Sequence, residues 1–192
     1  PGAFVVGTNS ESVNSFVDTV DAVTVIRSIA PTSDGGALVA MRFSGNTTLM
    51  GNAVTSDGID GALLRYDSAG TLTSYFHPGG SGNDEINDVA ETAAAEIVMT
   101  GYYEGGIDLG GGDMPSPPST RSMFLASTEA AGYAHRWSKT VSGSSSNLSR
   151  LVSLLPNGHV VIAGEFVAGT ADFGTGTLDA SGTDAFIASF QP

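Results

Sequence analysis

Apolar residues along this chain fall into short runs broken by Gly, Asp, Asn and Ser. Three runs are apolar on consecutive residues: Ala37-Leu38-Val39-Ala40-Met41, Ile97-Val98-Met99-Thr100-Gly101 and Val160-Val161-Ile162-Ala163-Gly164. They recur about 60 residues apart, which marks one supersecondary unit used repeatedly. Other anchors hold the register. Ala30, Ala90 and Ser153 precede Met41, Gly101 and Gly164 by 11 positions each. Ala62, Met123 and Ala185 follow the same residues by 21, 22 and 21 positions. A partial copy opens the chain, where Ala3-Phe4-Val5-Val6 matches Ala62-Leu63-Leu64-Arg65. Phe16, Tyr75 or Phe76, and Trp137 align as aromatics that close the unit.

Each unit predicts four short strands. The first covers Arg27-Pro31, Asn87-Glu91 and Arg150-Leu154, and the second is the apolar run. The third is the Ala- or Met-led run, and the fourth carries the closing aromatic. Asp34-Gly35 and Asn157-Gly158 fall between first and second strands, where they suit a type I′ hairpin turn. The second unit has Ala94-Ala95 there, which predicts a different or strained turn. Its segment from Asp88 to Met99 is rich in Ala and Glu and offers a competing helix. The sister segments are β-branched and bracketed by turn residues, so strand is the expectation. A strand that is apolar on consecutive residues is covered on both faces. A four-stranded antiparallel sheet covered that way is stacked between other sheets, as a propeller blade is. The pattern therefore predicts an all-β single domain over 1–192. It is a β-propeller-type array of about three four-stranded antiparallel blades, with repeats near 27–86, 87–147 and 148–192 plus 1–26.

Charge narrows the partners. The net charge is −13 and Lys139 is the only lysine. Phosphate backbones and anionic lipid surfaces both attract Lys and Arg, so nucleic acid and anionic membranes are poor partners. No apolar stretch is long enough to span a bilayer as a helix. Without cysteine there are no disulfides, thiolate metal sites or cysteine nucleophiles. Abundant Ser, Thr and Gly with almost no Lys points to an extracellular or cell-surface location.

Gly164-Glu165-Phe166, Ala171-Asp172-Phe173-Gly174 and Gly182-Thr183-Asp184-Ala185-Phe186-Ile187-Ala188 carry a resemblance. With Gly79-Gly80-Ser81-Gly82-Asn83-Asp84 as a link and Trp137-Ser138-Lys139 as a Trp strand, the chain resembles a bacterial seven-bladed β-propeller repeat. That family is common in large secreted or cell-surface proteins. The third copy is close; the second has Ile107-Asp108-Leu109-Gly110 for the Asp-Phe-Gly turn, and the first has Leu49-Met50-Gly51. The resemblance implies fold and secretion and leaves the activity open.

Counted in strands, the chain starts and ends mid-blade and holds about three blades, fewer than the roughly four to eight of an ordinary ring. Beginning at Pro1 inside a unit, it reads as processed or excised from something longer. An open array leaves an apolar blade face exposed. That predicts a homo-oligomer, for instance two chains forming one ring, or association with a companion fragment of the same precursor.

Candidate chemistry is sparse. Asn83-Asp84-Glu85-Ile86-Asn87-Asp88 is the densest cluster of oxygen ligands. Asp84, Glu85 and Asp88 are its candidate metal ligands, with calcium the cation they would suit. A solvated turn between blades is the competing reading. No other cofactor is indicated. Asp57-Gly58-Ile59-Asp60, Asp108 and Asp113 read as turn residues. His77, His135 and His159 are not equivalent in the repeat, which argues against a zinc site. Tyr102 and Tyr103 are candidate ligand-binding residues, as a stacking platform for a glycan. The first strands offer Arg27, Asp88, Glu91 and Arg150 toward a central channel, without evident recurrence. The expected function is a non-enzymatic scaffold or protein-binding module. A carbohydrate-binding lectin or adhesin is one alternative, and a hydrolase or lyase with a central-channel site is the other.

Overall fold

A computed structural model of the chain describes residues 3–8, 14–20, 23–115, 121–141, 143–144 and 146–192. Every regular element among them is a strand. β1 (Ala3–Thr8) and β2 (Asn14–Val20) form an antiparallel hairpin. β3 (Val23–Pro31), β4 (Ala37–Leu49), β5 (Asn52–Tyr66) and β6 (Leu72–Phe76) follow as a four-stranded antiparallel meander. A second meander begins with β7 (Gly82–Glu91) and β8 (Glu96–Tyr103). The small hairpin β9 (Gly106–Asp108) and β10 (Asp113–Pro115) interrupts it, and β11 (Ser122–Glu129) and β12 (His135–Thr140) complete it. The third sheet runs β13 (Ser146–Leu154), β14 (Val160–Asp172), β15 (Thr177–Phe190). A short parallel bridge, Gly58 to Gly82 and Ile59 to Asn83, ties the first two meanders at one corner. None of these sheets closes on itself.

The strand placements follow the apolar runs, including the segment from Asp88 to Met99 that offered a helix. There β7 ends at Glu91, a turn spans Thr92 to Ala95, and β8 begins at Glu96. Both faces of β8 are used, whereas β14 buries Val160 and Ile162 and leaves Val161 and Ala163 partly exposed. Leu38, Ala40 and Leu63 of the first meander share a core with Ile97, Met99 and Phe124 of the second. Val98, Met123 and Leu125, on the opposite face of the second, share another with Val160, Ile162 and Phe186 of the third. Alternation along each strand sends successive residues to opposite sheet faces. The consecutive apolar run of β8 therefore serves two interfaces at once.

The pairing corrects the sequence register in two places. Met41, Gly101 and Gly164 pair with Ala62, Phe124 and Phe186. The residue equivalent to Met123 and Ala185 is therefore Gly61, one position before Ala62. A one-residue slip reverses which face a side chain occupies, so Leu63 corresponds to Leu125 and Ile187. The closing aromatics also fall at different places. Trp137 pairs Ser127, a position held in the first meander by Ser74 opposite Arg65, while Tyr75 and Phe76 pair Leu64 and Leu63. The side chain of Phe16 lies outside the described residues.

The turns between first and second strands share one geometry, and it is not type I′. That type needs positive φ at both central residues. Here only one residue per turn has it: Gly35 at 85°, Ala95 at 56° and Gly158 at 84°. The bonds also match. Thr32, Thr92 and Leu155 each accept the N–H of the positive-φ residue and donate their own to the residue after it. This is a type I turn followed by a left-handed residue. Ala95 carries a side chain where its counterparts are glycine, so the strain expected of the second copy is located in that residue.

Asp108 and Asp172 act as turn residues. Asp108 accepts the N–H groups of Gly110 and Gly112 at 2.7 and 3.0 Å, and Asp172 those of Gly174 and Gly176 at 2.8 and 3.4 Å. Asp60 departs from that role. It lies within β5, only 2% exposed, and contacts His77 Nε2 at 2.9 Å.

Candidate functional site

The three first strands, β3, β7 and β13, each carry a bulge. The ladder skips Arg27 in β3, Asn87 in β7 and Arg150 in β13. These residues occupy the same place in the three sheets. A bulge breaks strand alternation and re-aims the extra side chain. All three border one cavity of about 200 Å³, together with Arg42, Tyr102 and Arg121. Arg42 and Tyr102 are themselves equivalent, each following the residue paired across from the bulge region.

Hydrogen bonds hold the first strands together around this cavity. Asp88 in β7 accepts the Ser28 hydroxyl from β3 and the Val152 N–H from β13, the latter at 2.8 Å. Asn87 donates to the Ser149 carbonyl at 2.7 Å. Asp88 therefore bridges all three sheets.

Glu85 lies beneath the cavity, 1% exposed. It accepts hydrogen bonds from Arg27 and Arg42, and from the Tyr102 hydroxyl at 2.9 Å. Burial works to raise its carboxyl, but the bonds from Arg42, Arg27 and Tyr102 outweigh that and hold it below the usual range. Burial first, then the Glu85 charge, push the Tyr102 phenol up to about 12. Arg121 stacks over the Tyr102 ring at 4.6 Å and bonds Glu104 at 2.8 Å. Arg150 bonds Glu165 at 2.6 Å.

The proposed metal ligands do not meet. Asp84 and Glu85 are adjacent in a strand and point to opposite faces. Glu85 is taken by arginines, Asp88 by strand-bridging bonds, and Asp84 faces Glu104 on the other side, accepting its N–H at 3.2 Å. The segment is a buried strand start and not a solvated turn. Among the described residues no group of three or more His, Asp or Glu side chains could hold a metal ion. Tyr102 and Tyr103 are 4% and 0% exposed, so neither ring offers a stacking face. Tyr102 contributes as a wall of the arginine cavity, and Tyr103 bonds Thr140 at 3.2 Å. Sequence reasoning found Arg27 and Arg150 but missed Arg42 and Arg121. The available signal was their rarity: four of the chain's seven basic residues line this one cavity.

Asp84 has a distinct electrostatic role. It is 1% exposed and its Oδ2 has no hydrogen-bond partner. Burial above all, and then the charges of Asp60 and Glu104, push its carboxyl up to about 7 against the lowering effect of the Glu104 N–H. Between its ordinary value of 3.8 and about 7, the folded chain keeps a proton that the unfolded chain releases. Stability from this group is complete at low pH and declines as pH rises through that window, by at most about 1.4 kcal/mol per pH unit. Asp84→Asn should flatten the decline in urea unfolding measured from pH 4 to pH 8. An unchanged slope would assign it to other groups.

A larger cavity of about 730 Å³ opens between the turn ends of the second and third sheets, against Trp137, Leu154 and Val160. Its lining is mostly turn residues and apolar side chains, without converging charge. No protein-family model matches this sequence, and no curated protein matches it.

Proposed function

We propose that the chain is a non-enzymatic, extracellular β-propeller module that acts as a scaffold or binding domain. In this reading the three sheets are successive blades, and the module extends its array by binding a second copy through the free face of the third. One comparison carries it. Ile187 is 81% exposed, whereas Leu63 and Leu125, at the same place in the first and second sheets, are 0% and 1% exposed. Leu151 is 61% exposed and lies beside Ile187, both residues pairing with Ala163. In the earlier sheets this face is covered by the next one, as Ile97, Met99 and Phe124 cover Leu38 and Leu63. A sheet of the same kind is the matching occupant, and a second copy supplies it. The cavity supports binding over acid–base catalysis, because its walls carry guanidinium groups, which stay protonated near neutral pH and so serve poorly as general acids or bases.

Light scattering tests this. The wild-type chain should elute at a multiple of its 19.4 kDa mass. Ile187→Glu should elute as a monomer with an unchanged circular dichroism spectrum. A wild-type monomer at high micromolar concentration would overturn self-association and favour a companion fragment.

A further inference from the structure

We infer that the cavity framed by the three bulged strands is a binding site for a small oxyanion group, a phosphate, sulfate or carboxylate. This rests on reading the chain as a binding module and names what the module binds at its centre.

The charge distribution comes first. A chain of net charge −13 places Arg27, Arg42, Arg121 and Arg150 around one cavity of about 200 Å³, with Glu85 the only carboxylate among the described residues that line it. Four guanidinium groups in one small space repel one another unless anions offset them. Glu85 is shared by Arg27 and Arg42, so one carboxylate offsets two cations there. Glu104 pairs Arg121 and Glu165 pairs Arg150, so the four guanidinium groups meet three paired carboxylates and one positive charge is left in excess.

Geometry comes second. Glu85 is nearly inaccessible, while the Arg27 and Arg42 side chains above it remain 29% and 31% exposed. Glu85 thus takes one N–H group of each guanidinium, and each guanidinium has further donors on side chains that line the cavity. The Tyr102 ring positions Arg121 in the same way, by stacking. Planar guanidinium forks match two oxygens of a carboxylate or phosphate. Small-molecule sites usually occupy about 300–1,000 Å³, so this one suits a compact head group more than a large ligand. The three bulges place their extra residues toward it from the first strands of three successive antiparallel units, an arrangement that core packing does not require.

The test is calorimetric titration of the intact chain at physiological ionic strength with inorganic phosphate, sulfate and acetate, each as its sodium salt. One saturable site per chain for at least one of these anions is the expected result. Preference for phosphate or sulfate over acetate would identify a tetrahedral head group, and the reverse a carboxylate. Arg121→Gln combined with Arg150→Gln should weaken binding about tenfold or more. Both side chains are about half exposed, at 45% and 54%, so the fold should persist, as circular dichroism would verify. Arg136→Gln, outside the cavity, should bind as wild type. No saturable heat with any of the three anions, or equal affinity in the double variant, would overturn the site. Light scattering on the same samples separates this from self-association, because every lining residue comes from one chain. An associating protein that binds no anion loses only the site, and a monomer that binds one loses only the association.

Discussion

Gly101→Ala is expected to destabilise the chain by about 3 kcal/mol or more, at the upper end of overpacking changes. The reason is local. A Cβ at Gly101 would fall inside contact distance of the Glu85 backbone carbonyl and would lie 3.0 Å from the Phe124 ring. The carbonyl belongs to β7 just before its bulge, and strand backbone cannot move aside as a side-chain tip can. Gly164 repeats the arrangement in the third sheet, pressed by the Leu148 carbonyl and by the Phe186 ring at 2.8 Å. Each glycine pairs with the phenylalanine that covers it, whereas the first sheet has Met41 opposite Ala62. The large residue has changed strands and the pair remains one large and one small. The loss at Gly101 corresponds to a fall in Tm of about 6–12 °C for a chain of this size. Gly79, with open space around its Cβ direction and ordinary backbone φ, supplies the control. Gly79→Ala should stay within about 0.5 kcal/mol of wild type. Equal effects at the two glycines would show that the bulge does not crowd Gly101.

Glu85→Gln should cost about 2–3 kcal/mol. Removing one member of a buried ion pair typically costs about 3–5 kcal/mol. The lower figure applies because Arg27 and Arg42 keep some solvent and lose less when their partner becomes neutral. The pH dependence gives a second readout. A carboxyl held below its ordinary value contributes stability above that value and loses it as pH falls through the folded one. Wild-type chain should therefore lose stability on acidification through Glu85, and Glu85→Gln should remove that part of the loss. Asp84, its neighbour in sequence, acts with the opposite sign. Denaturant unfolding of both variants between pH 3 and pH 8 resolves the two contributions. A Glu85→Gln variant as stable as wild type at pH 7 would mean that the arginines do not depend on this carboxylate.

Strand positions were legible in the sequence because the apolar runs and turn residues repeat. Register was less so. Gly61 and Ala62 are both small, and composition alone does not say which one takes the place of Met123 and Ala185. The strained turn at Ala95 could be read from its sisters Gly35 and Gly158, though the turn type could not. The separation of Asp84 from Glu85 was available from strand alternation once β7 was extended back to Gly82. The arginine cavity was harder to find. Arg27 and Arg150 align with Asn87, and the shared feature is a bulge, which leaves no composition signal. Arg121 lies one residue before β11, and the sequence spacing that precedes it differs between copies.

The central claim is that the sheets are successive blades around one axis, extended by association. A crystal structure of the associated species tests it most directly. The expected result is another antiparallel sheet seated on Leu151 and Ile187, in the same relation as the second meander holds to the first, with Arg27, Asn87 and Arg150 facing a common channel. A third sheet left facing solvent, or sheets stacked without a shared axis, would contradict it.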